Sequence, residues 1–170
     1  MAKALPNALS QLNIVQWEAG AFAALLGEAH QYLVTGILMR LGFLVSVITV
    51  RGGTYDLIIP AYEDFTSNKQ NLVLLKAQVR TVRQSLSFLG GLRAGKGMVS
   101  FYRGYKYTTQ HNDLIIGVDQ ATLDLYLVPT RYIGRWGNSA SKGKLQVLKN
   151  NFEILLNWNE EFLAELERRL

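Results

Sequence analysis

Residues 19–50 are apolar almost throughout, and the type of apolar residue changes at Gly42. Before Gly42, apolar side chains recur every four positions, which predicts a helix over residues 19–41 that ends at this glycine. Its expected buried face consists of Leu25, Ala29, Leu33, Ile37 and Leu41. After Gly42, the β-branched stretch 43–50 predicts a buried strand. Because Arg40 interrupts the apolar run, neither half is long enough for a membrane-spanning helix.

The rest of the chain alternates apolar strand patterns with polar turns. We predict strands over residues 55–60, 72–81, 113–118 and 123–128, and a hairpin around 98–109. Beyond residue 139 the pattern turns helical, and Asn159 is positioned to cap a last helix over 160–169. This order predicts an α/β fold with a mixed central sheet flanked by helices. A length of 170 residues fits a single domain, with a core over 19–133 and a C-terminal helical extension over 142–170.

Composition excludes several kinds of site. The chain has no cysteine, which rules out disulfides, zinc–thiolate centres, iron–sulfur clusters and a cysteine nucleophile. It has only two histidines, His30 and His111, and we interpret both as structural or solvated. The first residues are too polar for a secretory signal, so we expect a cytoplasmic protein.

Basic side chains are concentrated in one part of the sequence. Residues 65–149 contain 13 Lys and Arg against three Asp, although the net charge of the whole chain is only +5. Such asymmetry is typical of a nucleic-acid-binding surface, but it also fits a solvated basic face with no partner. Within this stretch, residues 90–97 resemble a phosphate-binding loop. Gly97 replaces its Ser or Thr and a strand-like segment follows, so we interpret them as a basic loop.

Three segments carry residues suited to phosphodiester cleavage. Glu28 lies in the predicted helix, and Asp56 opens the second strand. In the third strand, alternation places Lys76, Gln78 and Arg80 on one face. If the second and third strands pair, oxygen ligands for a hard cation lie close to a positive charge that can stabilise the phosphate in the transition state.

Short fragments in this order also occur in a known group of enzymes. They are Gly27-Glu28-Ala-His-Gln-Tyr-Leu-Val, Gly42-Phe43, Tyr55-Asp56-Leu57-Ile58, Gln78-Val79-Arg80-Thr81, Asn112-Asp113 and Tyr126-Leu127-Val128-Pro129. Over about residues 27–133 the chain resembles the PD-(D/E)xK endonucleases. It is most similar to their Gln-x-Lys branch, which includes a homing endonuclease encoded in a cyanobacterial group I intron. The resemblance implies a restriction-endonuclease-like core, two-fold assemblies on duplex DNA, and magnesium.

The resemblance also implies roles for individual residues. Glu28 would be the helical acid, Asp56 the central metal ligand, and Gln78 a second-strand ligand through its amide oxygen. Arg80 occupies the position of the family's lysine. An arginine keeps its proton and has a planar fork suited to phosphate, so we expect Arg80 to supply charge but not to act as a base. Gln78 carries no negative charge, so affinity for the cation without DNA should be poor.

The leading prediction is a site-specific, metal-dependent double-strand DNA endonuclease of the homing type. It would use Mg²⁺, with Mn²⁺ as a second candidate, and act as a homodimer or homotetramer with no membrane association. Contacts to DNA are expected from Lys76, Arg83, Arg93, Lys96, Arg103, Tyr105 and Lys106. Two alternatives stay open: a DNA-binding protein of the same fold that no longer cleaves, and a sheet-based oligomerisation or interaction subunit.

Overall fold

The first element of the computed structural model, which describes residues 12–49, 53–67, 71–91 and 104–170, is a long helix. Helix α1 spans Ala19–Arg40, as predicted, and ends before Gly42, whose φ is +94°. Its buried face is shifted by one residue from the predicted one and comprises Leu26, His30, Val34, Thr35 and Leu38. The predicted Leu25 and Leu41 are each 50% exposed. Because α1 is apolar on most sides, spacing alone does not single out the stripe that packs against the sheet.

The described residues form nine strands. They are β1 Ser46–Val47, β2 Leu57–Tyr62, β3 Leu72–Val82, β4 Ser85–Ser87, β5 Leu89–Gly90, β6 Tyr105–Lys106, β7 Leu114–Asp119, β8 Leu125–Pro129 and β9 Ser139–Ser141. Five of them make the central sheet, in the order β1-β2-β3-β7-β8. β3 runs parallel to β7 and antiparallel to β2, so the sheet is mixed, as predicted. β4 with β9 and β5 with β6 form two small antiparallel pairs.

The strand predicted over 43–50 is much shorter in the structure. Only Ser46 and Val47 join the ladder, opposite Ile58 and Leu57 of β2. β1 is an edge strand with one neighbour in the sheet, so the ladder extends only where β2 runs beside it. The β-branched residues of this segment suit its partial burial, but they do not by themselves extend the strand.

The C-terminal part is less helical than predicted. After β9, residues Lys142–Leu148 form a 3₁₀ helix, followed by α2 Glu153–Leu156 and α3 Glu160–Arg168. Another 3₁₀ helix covers Thr130–Arg135. Asn159 caps α3 as predicted, because its side chain accepts a hydrogen bond of 2.9 Å from the amide of Phe162.

The core lies around the central strands. Every residue of β7 and β8 is buried, and β3 lies between β7 and β2. α1 packs on β3, where His30 Nδ1 lies 2.9 Å from Thr81 Oγ1. Burial lowers the pKa of His30, so a neutral imidazole links the helix to the strand, in agreement with its structural interpretation. Among the described residues, no helix is both long and apolar enough to cross a bilayer. The division between core and C-terminal extension stays a prediction.

Candidate active site

A cleft of about 520 Å³ lies beside α1 and the ends of β1, β2 and β3. Its walls include Glu28 from α1, Asp56 from the residue before β2, and Gln78 and Arg80 from β3. These are the four residues that the sequence singled out for catalysis. The fold therefore brings together side chains that are up to 52 positions apart in the sequence.

Backbone hydrogen bonds on both sides fix Asp56. Its amide donates to the carbonyl of Ala77 over 2.8 Å, and its carbonyl accepts from the amide of Ile48 over 2.8 Å. Leu57 pairs with Ala77 in the β2–β3 ladder, so Asp56 lies next to Gln78. The carboxylate is thus held at the boundary of the rigid sheet, where a catalytic group is positioned more precisely than on a free loop.

The carboxylate of Asp56 is partly desolvated and strongly hydrogen-bonded. Its Oδ2 accepts from the amide of Val79 over 2.8 Å and from Nε2 of Gln78. Burial raises the pKa of Asp56, and the Val79 amide, the charge of Arg80 and the Gln78 amide offset part of that rise. A cation bound in the cleft would stabilise the ionised form that burial disfavours.

Gln78 differs from the role that the resemblance implies. It is 7% exposed, and its amide nitrogen, rather than its oxygen, faces Asp56 and the carbonyl of Val79. A rotation about the last side-chain bond exchanges the two atoms. Gln78 therefore has to turn before its oxygen can serve as a metal ligand.

The oxygen chemistry of the cleft fits a weak Mg²⁺ site. Asp56 and Glu28 offer two carboxylates, and Gln78 offers one amide oxygen after rotation. The described part of the chain contains no group of three or more His, Cys, Asp or Glu side chains placed to hold a metal. Mg²⁺ commonly binds through one or two protein carboxylates, water and substrate phosphates. Glu28, Asp56 and Gln78 are therefore the side chains of this cleft that could hold such a cation.

Two acceptors hold the guanidinium of Arg80. Its Nη2 donates to the carbonyl of Leu89 over 3.1 Å and to the hydroxyl of Tyr107. Its Cζ lies 5.2 Å from the centroid of the Tyr107 ring, close enough for a cation–π interaction. In the sequence, Tyr107 belongs to an aromatic series with Phe101, Tyr102 and Tyr105. That pattern fits base stacking or a hairpin and does not indicate a contact with Arg80.

Two of the basic residues expected to bind DNA, Lys76 and Arg83, lie on β3 or just beyond it. Lys76 is half-buried and belongs to the same strand as Gln78 and Arg80. Arg83 is exposed just beyond β3, and its Nε donates to Gln120 Oε1 over 3.2 Å. It lines a second cleft of about 520 Å³. Arg83 is therefore accessible to a polyanion, whereas the half-buried side chain of Lys76 is less accessible.

The other expected DNA contacts divide into two groups. Tyr105 and Lys106 form β6 and are half-buried. The ring of Tyr105 lies over Gly90, where an added Cβ would be 2.7 Å from the Tyr105 Cζ, and Lys106 Nζ donates to the carbonyl of Trp136 over 2.9 Å. Both side chains thus have structural contacts. Arg93, Lys96 and Arg103 lie outside the described residues, so their role stays a prediction.

Comparison with known proteins supports the fold. No family profile and no curated protein matches the sequence. A solved structure, described as that of the bacterial homing endonuclease I-Ssp6803I, matches with a TM-score of 0.61 and 14% sequence identity. The match covers 84% of this chain and 96% of the other. The protein therefore shares its α/β fold, with a mixed five-stranded sheet and flanking helices, with a homing endonuclease.

Proposed function

We propose that the protein is a divalent-metal-dependent endonuclease of the PD-(D/E)xK superfamily that hydrolyses phosphodiester bonds in double-stranded DNA. The observation that carries this proposal is the convergence of Glu28, Asp56, Gln78 and Arg80 in one cleft. The fold shared with a homing endonuclease supports it independently of the side chains. A homing role, with one specific target site, is the form of this activity that we favour.

Each residue of the cleft has a distinct part in the proposed mechanism. The cation, when bound, supplies Lewis acidity at the scissile phosphate. Asp56 and Glu28 would hold it with their carboxylates, and Gln78 would add its amide oxygen after rotation. Arg80 donates hydrogen bonds to the phosphate and stabilises the charge that develops there. Since arginine keeps its proton, the attacking water has to lose its proton to another acceptor than Arg80.

A long DNA target site needs more contact surface than one small domain provides. We therefore propose a homodimer or homotetramer whose symmetry places two clefts on opposite strands of the duplex. Lys76, Arg83, Tyr105 and Lys106 would contribute to binding together with the basic residues outside the described ranges. A DNA target is consistent with action in the cytoplasm.

The second candidate function is DNA binding without cleavage, by a protein that keeps the fold but no longer cuts DNA. Two observations favour it: the Gln78 amide nitrogen faces Asp56, and Arg80 stands at the position of the family's lysine. Relaxation of a supercoiled plasmid, measured with Mg²⁺, with Mn²⁺ and with a chelator, separates the two functions. Metal-dependent nicking that Asp56→Asn abolishes supports the nuclease. Tight, salt-dependent binding without nicking supports the second function.

Gln78→Glu is expected to change how the protein responds to metal. A second carboxylate beside the buried Asp56 repels it, so the variant should unfold at a lower temperature than the wild type without metal. Added Mg²⁺ should raise its Tm by more than it raises that of the wild type, because the site gains a negative charge. Thermal unfolding with and without Mg²⁺ measures both effects.

Gln84→Glu is the matched control, because it adds the same charge on an exposed residue outside this cleft. We expect it to show no gain in metal response. Equal Mg²⁺ shifts in wild type and Gln78→Glu would remove position 78 from the metal site.

Reversing the charge of Arg93 and Lys96 is expected to weaken DNA binding steeply. The slope of log affinity against log salt concentration should fall by about 1 for each phosphate that the protein no longer neutralises. Binding of a labelled duplex at several salt concentrations measures the slope. The double variant Arg168→Glu, Arg169→Glu changes the net charge equally outside the basic stretch and should leave the slope unchanged. If both variants have the same effect, binding depends on net charge alone.

A further inference from the structure

Tyr107 is buried beside the cleft and touches the residue on which the proposed catalysis depends. The tyrosine is 3% exposed and follows β6, and its hydroxyl accepts a hydrogen bond from Arg80 Nη2. The two residues are 27 positions apart, so the contact is made by the tertiary fold. No motif in the sequence indicates a role for this pair.

The hydrogen-bond donors of Arg80 are used unevenly. Nη2 serves both Leu89 and Tyr107, while Nε is buried and has no partner among the described residues. In the part of the chain that the structure describes, Nη1 has no acceptor. A guanidinium is planar, so fixing Nη2 also fixes the direction of Nη1. Nη1 is therefore the donor left to meet an anion in the cleft.

Tyr107 is itself held firmly. Its amide donates to the carbonyl of Phe88 over 2.9 Å, and its ring packs edge-on against Tyr105 with centroids 5.5 Å apart. Phe88 directly precedes Leu89, so the acceptors that hold Tyr107 and Arg80 come from one short segment. Burial raises the pKa of Tyr107, which keeps its phenol neutral. The ring and hydroxyl form a rigid support for the guanidinium.

We propose that Tyr107 is a positioning residue that aims Nη1 of Arg80 at the phosphate of the substrate. This inference rests on the proposed nuclease function. Arginine suits this arrangement, because one nitrogen of its planar fork can be anchored while another is presented to the phosphate. Tyr107 thus acts through Arg80 and does not contact the substrate.

The direct test is Tyr107→Phe, which removes the hydroxyl and keeps the ring. We expect kcat to fall about 10-fold or more, since a hydrogen bond to a charged group is removed, while KM changes by less than about 2-fold. In an Arg80→Ala background the same substitution should have no further effect on kcat. Equal losses in both backgrounds would show that Tyr107 does not act through Arg80, and an unchanged kcat in the wild-type background would overturn the proposal.

Tyr132→Phe is the matched control. It also removes a buried tyrosine hydroxyl, which donates to the carbonyl of Leu163 over 2.6 Å and is not in contact with Arg80. We expect it to lower Tm but to leave kcat unchanged at temperatures where the protein is folded. A loss of kcat as large as that of Tyr107→Phe would reduce the role of Tyr107 to stability and contradict the proposal.

A second readout does not depend on cleavage. The buried Nε–H of Arg80 should give a slowly exchanging signal in a proton–nitrogen correlation spectrum, assigned by its loss in Arg80→Lys. Tyr107→Phe should speed its exchange with solvent by about 10-fold, whereas Tyr132→Phe should not. Unchanged exchange in Tyr107→Phe overturns the positioning role even if the wild type cuts DNA. If the exchange becomes faster but the wild type cuts no DNA, the contact between Tyr107 and Arg80 is supported and only the nuclease function is rejected.

Discussion

Asp56→Asn is expected to abolish DNA cleavage, with a loss on the order of 10³-fold or more, because the cation in the cleft loses its central carboxylate. Affinity for DNA should stay within a few fold of the wild type, since Lys and Arg contacts to phosphates dominate binding. Cleavage assays and duplex titrations in the same buffer measure the two quantities. Cleavage at a near wild-type rate would remove Asp56 from the site.

The same substitution should not destabilise the fold. Burial raises the pKa of Asp56 in the folded state, so ionising this group at neutral pH costs stability. Below the ordinary pKa of aspartate, the protonated Asp56 side chain contributes its full stability to the fold. That contribution is lost as the pH rises through the pKa of Asp56 in the folded protein. Asparagine does not ionise, so Asp56→Asn should gain in Tm relative to the wild type at pH values above the ordinary pKa of aspartate.

Asp64→Asn provides a control of opposite sign. The hydroxyl and the amide of Thr66 donate to the Asp64 carboxylate and hold its pKa below the ordinary value. The stability that Asp64 contributes is therefore present at neutral pH and lost as the pH falls through the folded pKa. Its asparagine variant should lose in Tm relative to the wild type over the same interval. If Asp56→Asn loses in Tm as Asp64→Asn does, the assignment of Asp56 as a desolvated carboxylate is wrong.

Arg80→Ala is expected to lower the cleavage rate by on the order of 10² or more, as for the loss of one preorganised donor to a developing oxyanion. Arg80→Lys should retain or raise activity, because it restores the residue usual in the resembled family and its ammonium can approach the attacking water. Single-turnover cleavage measures both rates. Arg168→Ala, on the exposed end of α3, should leave the rate unchanged.

The pair of Arg80 variants also separates the two candidate functions. A silent wild type whose Arg80→Lys variant cuts DNA would identify a nuclease-like scaffold that has lost activity. If neither protein cuts DNA and both bind it, the assignment of the cleft is wrong and only the fold is retained.

The central part of the site could be predicted from the sequence because it depends on local rules. Alternation along β3 places Gln78 and Arg80 on one face, and the antiparallel partner β2 begins directly after Asp56. The third strand, predicted over residues 72–81, is observed as Leu72–Val82. Apolar and polar residues alternate from Leu75 to Arg80, which fixes the face that each side chain takes.

Other features depend on packing that the sequence pattern does not determine. The buried stripe of α1 is one residue away from the predicted stripe, because a helix that is apolar on most sides can be placed on the sheet in several rotations. The contact between Arg80 and Tyr107 requires β5 and β6 to pair and bring Tyr107 beside β3. The orientation of the Gln78 amide depends on which neighbouring groups donate and accept, which spacing does not show.

The most direct test of the central claim is cleavage of a randomised duplex DNA library, followed by sequencing of the new ends. The wild type is incubated with Mg²⁺, with Mn²⁺ and with a chelator, beside Asp56→Asn under the same conditions. We predict that new ends with a shared sequence accumulate with the wild type and a divalent cation, and are absent with the chelator and with Asp56→Asn. Ends that persist in the chelator, or that form equally with Asp56→Asn, would contradict the proposed active site. Absence of ends with both cations would contradict the nuclease function.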